Sequence, residues 1–212
     1  MKLLALLLVL PLTANAGTWF EFEAGIGASH SKDMGDGTWI QYSPQTPHSE
    51  QLASPAYLAG FTGDYGNFQW HADYVYFGQV RAACLCVPDA NYNPKTHTAD
   101  EKGYIPFNGF GHTQGAALTI GYGFTWRGFR FGAEAGPWAY LATWHVTHND
   151  PAQPGQYSLN HRTVPQLGYV VGARIERGSF SLSYRYYSAS QRWNPYPGLV
   201  TGTHVLMIEK RF

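Results

Sequence analysis

Residues 115–135 read GAALTIGYGFTWRGFRFGAEA, and the alternation within them decides the fold. Leu118, Ile120, Tyr122 and Phe124 share one side of an extended chain, and Thr119, Gly121 and Gly123 occupy the other. Arg127-Gly128 reverses the chain, after which Phe129, Phe131, Ala133 and Ala135 oppose Arg130 and Glu134. A period of two marks a strand whose faces meet different surroundings. Two such runs joined by a short Gly-containing turn form a hairpin.

The pattern continues in both directions along the chain. Upstream, Phe20, Phe22, Ala24, Ile26 and Ala28 oppose Glu21 and Glu23, and a weaker run carries Tyr57, Ala59 and Phe61. Gly63-Asp64-Tyr65-Gly66 then turns into a segment where Phe68, Trp70, Ala72, Tyr74 and Tyr76 oppose Gln69, His71 and Asp73. Downstream, Leu167, Tyr169, Val171, Ala173 and Ile175 face away from Gln166, Arg174 and Glu176, and Arg177-Gly178 makes the next turn. Phe180, Leu182, Tyr184 and Tyr186 then oppose Ser181, Ser183 and Arg185, and Leu206, Ile208 and Phe212 share a face at the end.

These are eight segments, and their connections alternate strictly. The links after the second, fourth and sixth are tight turns. Those after the first, third, fifth and seventh are long, at about residues 31–55, 81–113, 142–163 and 188–203. All long loops therefore emerge at one end. That is the plan of an all-β, eight-stranded antiparallel up-and-down transmembrane β-barrel with short periplasmic turns and four long extracellular loops. A soluble sandwich or lipocalin-like barrel would turn its apolar face inward and carry its charge outside. Here one face of most strands lacks charge, and aromatics such as Trp19, Trp70, Trp126 and Trp138 are read as girdles near strand ends.

The start of the chain agrees. Lys2 precedes the run Leu3-Leu4-Ala5-Leu6-Leu7-Leu8-Val9-Leu10, Pro11 breaks it, and Ala14-Asn15-Ala16 closes it. This reads as a secretory signal cleaved after Ala16, too short to cross a bilayer as a helix. The domains are thus a signal peptide over residues 1–16 and a barrel over 17–212, exported to the outer membrane. The whole sequence has 14 basic and 14 acidic residues, 13% charged in all, and gives no basic footprint for nucleic acid.

With the apolar faces toward lipid, Glu21, Glu23, His71, Asp73, Arg130, Glu134, Arg174, Glu176, Arg185, Glu209 and Arg211 point into the lumen. Isolated buried charges are very costly, so an ion-paired plug is expected. Eight strands leave an interior just wide enough for side chains to fill. An open pore is therefore disfavoured, and a narrow channel for small solutes is the lesser reading.

Along residues 17–212 the chain resembles small outer-membrane proteins of the OmpA and OmpX type. Its last residue, Phe212, after Leu206 and Ile208 at alternate positions, looks like the terminal signature read by the barrel assembly machinery. Lys210 departs from that alternation. Near the membrane boundary a long lysine reaches back to water. Locally, Tyr186-Tyr187-Ser188-Ala189 with the Asn194-Pro195-Tyr196-Pro197-Gly198 loop resembles the outer-membrane lipid A deacylase family. That family carries His-x-Ser-Asn there, and its histidine, serine and a glutamate about a dozen residues later form a lipid-facing triad. Ser188 matches the serine, but Tyr186 stands at the histidine position, Ala189 replaces the asparagine, and Val200 falls near the glutamate. A serine needs an adjacent base to act as a nucleophile, so the resemblance implies a relative that has lost the triad.

Loop histidines His30, His97, His112, His145, His148 and His161 lack an acidic partner at helical spacing and are read as exposed polar groups, with no metal site. Cys84 and Cys86, two apart in an exported chain, leave open a strained disulfide, a cross-link between chains, free thiols or a metal clip. No cofactor fingerprint is visible. The expected partners are outer-membrane lipid and lipopolysaccharide, the assembly machinery, and an extracellular partner bound by aromatic-rich loops. The resulting expectation is a non-enzymatic barrel in envelope structure or surface interaction.

Overall fold

The computed structural model describes residues 20–34, 41–42, 49–87, 105–149, 156–162, 165–189 and 200–212. Eight long strands form the barrel: β1 (Glu21–Met34), β2 (Ala53–Tyr65), β3 (Phe68–Val87), β4 (Ile105–Trp126), β5 (Phe129–Asn149), β6 (Gln166–Arg177), β7 (Phe180–Ser188) and β8 (Val200–Arg211). Each pairs antiparallel with its neighbours in sequence order, and β1 pairs with β8 from Glu23↔Arg211 to Met34↔Val200, closing the sheet. Closure removes the free edges that a bilayer cannot satisfy. The C-terminal residue joins the seam, with the Phe212 amide donating to the Phe22 carbonyl at 2.9 Å.

Three two-residue turns link the strands at one end, with ladders closing at Tyr65↔Phe68, Trp126↔Phe129 and Phe180↔Arg177. The first turn is therefore Gly66-Asn67, later than the expected Gly63–Gly66 span, because β2 keeps pairing through Tyr65. Arg127 and Gly128 both have positive φ, at 50° and 79°. That backbone is the tight hairpin turn whose twist matches the flanking strands.

The outer wall is apolar. Ile26, Ile120, Leu167 and Ile208 are each at least 60% exposed, which in water would be unfavourable and in lipid is required. Aromatics crowd the turn end of this wall, with Phe20 against Phe61, Phe68 against Tyr122, and Phe124 against Phe131. Lys210 lies over the Phe212 and Phe180 rings, so its methylene stem stays on the wall while its charge reaches the boundary.

The strands are unequal. β3, β4 and β5 have 20, 22 and 21 residues, whereas about 9–11 suffice to cross a bilayer. Much of what reads as loop in the sequence, from Arg81 onward and before Thr113, is strand that continues beyond the wall. Short strands at Gln41–Tyr42 and Ser49–Gln51 pair with β3, and Gln156–Arg162 pairs with β5, so the barrel sheet is widened at its outer end. The shorter β7 has nine residues.

Candidate functional site

The inward positions follow from strand parity and divide the lumen into two layers. In the layer toward the turns, Asp64 Oδ1 accepts from Arg130 Nη1 at 2.5 Å and from Gln69 at 3.0 Å. Its Oδ2 accepts from Arg211 at 2.9 Å, and Arg211 also donates to Glu176 at 2.6 Å. Glu21 sits at the rim, 4.0 Å from Arg211 and half-exposed.

Deeper, Arg174 donates to Glu23 at 3.1 Å, to Glu176 at 3.2 Å, and to Glu209. Arg185 grips Glu134 through Nε at 2.6 Å and Nη2 at 3.3 Å, and its Nη1 lies 3.2 Å from Asp73 Oδ2 and 3.4 Å from Glu209. Hydroxyls complete the network, with Thr119 donating to Glu134 at 3.0 Å and Ser183 to Glu209 at 2.5 Å. His71 Nδ1 meets Glu23 Oε1 at 2.6 Å, and its Nε2 lies 3.8 Å from Glu134. Every lumen residue expected from parity thus lies inside the barrel or at its rim. Asp64, read in the sequence as a turn residue, belongs to the set as well.

The layer toward the long loops differs from expectation. It is an apolar plug, where a charged lumen was anticipated throughout. Trp138 stacks on Tyr140 with ring centroids 4.5 Å apart, and Phe77 and Tyr187 meet it at 5.8 Å and 5.1 Å. Leu58, Val75, Val170, Val205 and Met207 fill the space around these rings. Trp138 is 2% exposed, so its sequence reading as a girdle residue is corrected: it shares parity with Arg130 and Glu134, and points inward with them. A Cβ at position 168 would collide with the Trp138 indole and the Ser188 carbonyl, so Gly168 is what lets the indole lie flat against β6.

Ser188 is also corrected. Parity with Tyr186 places it on the lipid-facing wall, but it is buried at the end of β7, where the ladder with β6 has stopped at Tyr187↔Val170. Its hydroxyl accepts from the Tyr169 amide at 2.8 Å, and its carbonyl accepts from Trp138 Nε1 at 2.8 Å. Ser188 therefore caps the end of the β6–β7 ladder while still pairing with Gly202 of β8. His204 pairs instead with the Tyr184 hydroxyl at 2.7 Å on the outer face, with the Tyr186 ring tilted against it at 4.9 Å. Among the described residues no histidine or carboxylate donates to or accepts from the Ser188 hydroxyl.

The remaining expectations are divided by what is described. His112 packs on Tyr76 and His145 on Phe110, while the side chains of His97, His148, His161, Cys84 and Cys86 lie outside the described residues. Residues 1–16 also lie outside them.

A closed eight-stranded antiparallel barrel with an apolar outer wall and an ion-paired lumen defines the class by its architecture: a small transmembrane β-barrel. No protein-family model matches the sequence, and no curated protein does. Among solved structures, the chain is similar to Ail, the attachment invasion locus protein of Yersinia pestis, at 12% identity and TM-score 0.45, covering 92% of this chain and 100% of that one. It is similar to Neisserial surface protein A at 11% identity and TM-score 0.38, covering 92% and 98%. The translocator domain of the autotransporter NalP from Neisseria meningitidis matches at 12% identity and TM-score 0.28, covering 95% and 91%.

Proposed function

We propose that this protein is an exported outer-membrane barrel with no open pore, acting in envelope structure or surface interaction through the sheet and loops at its outer end. One observation carries the reading: β3–β5 continue well past the lipid-facing wall while the lumen beneath them is filled. A conduit needs a continuous path, and here a charged network and an aromatic plug lie in series along the axis. A rigid sheet raised above the membrane suits contact with something outside the cell, since loops on a firm scaffold carry recognition. Lipid and lipopolysaccharide are the surroundings that the apolar wall and its aromatic end suit. Phe212, closing the seam, is the element offered to the assembly machinery, and cleavage after Ala16 supplies export.

Two measurements test this. The purified barrel in planar bilayers should give no conductance steps, and steps above background would favour the channel reading. Cells displaying the full chain should differ in surface adhesion from cells displaying a version with the outer ends of β3 and β4 trimmed. Equal adhesion would remove the surface role. The hydrolase reading rests on Ser188, whose hydroxyl is engaged by a backbone amide, and lipid A of unchanged mass on expression would agree with that engagement.

A further inference from the structure

The lumen holds more acid than base. Five buried carboxylates, of Glu23, Asp73, Glu134, Glu176 and Glu209, face two buried guanidiniums, of Arg174 and Arg185. The rim adds Asp64 and Glu21 with Arg130 and Arg211, which leaves the balance unchanged. The surplus collects on one side, where Glu23, His71 and Asp73 each present a donor atom and all three atoms lie within 4.8 Å of one another. Two oxygens in this patch have no hydrogen-bond partner in the protein: Asp73 Oδ1 and Thr62 Oγ1. Thr62 is fully buried and stands directly across from His71 in the ladder. Asp73 Oδ1 lies where a Cβ at position 60 would fall, so Gly60 is what leaves room for it.

From this we infer that Glu23, His71 and Asp73, with Thr62 beside them, form an internal site for a divalent cation of the zinc class. A histidine nitrogen with carboxylate oxygens is a donor set for zinc and its neighbours, whereas all-oxygen sets suit magnesium and calcium. The far side of the ring is arranged accordingly. With Nδ1 toward the cation, Nε2 faces Glu134 Oε2 at 3.8 Å, so a further carboxylate stands on the far side of the ring. Binding places two positive charges against the surplus of three negative ones.

The test uses the whole barrel, stripped with chelator and refolded in detergent, with folding followed by heat-modifiable migration on gels. Titration with zinc chloride should show one equivalent bound, and cobalt(II) should give the visible absorption of a low-symmetry nitrogen–oxygen site. His71→Gln should weaken zinc binding at least about a hundredfold and Thr62→Val by about tenfold. Thr62→Val replaces a hydroxyl by a methyl of similar size, so it reports even where His71→Gln fails to fold. Absence of both heat and cobalt absorption in the folded wild type would overturn the site and assign the surplus charge to protons. Binding unchanged in both variants would overturn it in favour of the loop histidines or the thiols.

Discussion

Arg185→Met tests the lumen network most sharply. The side chain is 1% exposed, and methionine fills most of its volume, so packing changes little while the guanidinium is lost. Glu209 keeps Arg174 and Ser183. Glu134 keeps only the Thr119 hydroxyl and a distant His71, and Asp73 loses the cation beside its Oδ2. Breaking one buried pair by removing a partner costs about 3–5 kcal/mol. Since two carboxylates are orphaned together, the loss should lie near the top of that range, at about 5 kcal/mol. Urea unfolding in phospholipid vesicles, followed by tryptophan fluorescence, measures it. Adding Glu134→Gln and Asp73→Asn to the same chain should recover about half of the loss, because neutral amides tolerate burial far better than lone carboxylates. A loss below about 1 kcal/mol, or amide substitutions that destabilise the Arg185→Met chain further, would refute the claim that this guanidinium holds the lumen together.

Other outcomes follow from the same geometry. Trp138→Ala removes the centre of the plug and should cost about 3–5 kcal/mol in the same unfolding assay, as for other buried aromatics cut to alanine. Leu118→Arg places a charge on the exposed wall and should cost about 2–4 kcal/mol in vesicles if Leu118 lies near the bilayer midplane; the penalty should shrink in detergent. Ser188→Ala strips the Tyr169 amide of its acceptor and should cost about 1–3 kcal/mol while leaving the mass of lipid A unchanged. Deleting Phe212 removes a seam bond and the terminal aromatic, and should lower the amount of heat-modifiable barrel recovered from membranes.

The wall and the charged layer were legible because a strand between lipid and a polar interior must alternate. Parity alone placed Glu23, Arg174 and Arg185 in the lumen. It failed where one of those two environments changes. Farther out the alternation persists in burial, with Gly109 and Gly111 covered and Asn108 and Phe110 exposed, but glycines and alanines such as Ala82-Ala83 print no apolar pattern in the sequence, so these stretches read as loop. In the outer half of the lumen both faces are apolar, as in Val205-Leu206-Met207-Ile208, where Val205 and Met207 are buried and Leu206 and Ile208 are exposed. The plug was hidden in such runs, although Trp138 could have been assigned by counting from Arg130. Ser188 escaped for a different reason. There the ladder with β6 has ended while that with β8 runs on to Ser188↔Gly202, and the hydroxyl turns to the Tyr169 amide of β6.

The unequal strand lengths give the molecule a bearing in the plane of the membrane. Among the described residues β7 contributes nine residues of strand and β4 contributes 22, so the framework is lopsided about the barrel axis. Seen down the axis, the described framework has a distinguishable front and back, which a barrel of even strands would lack.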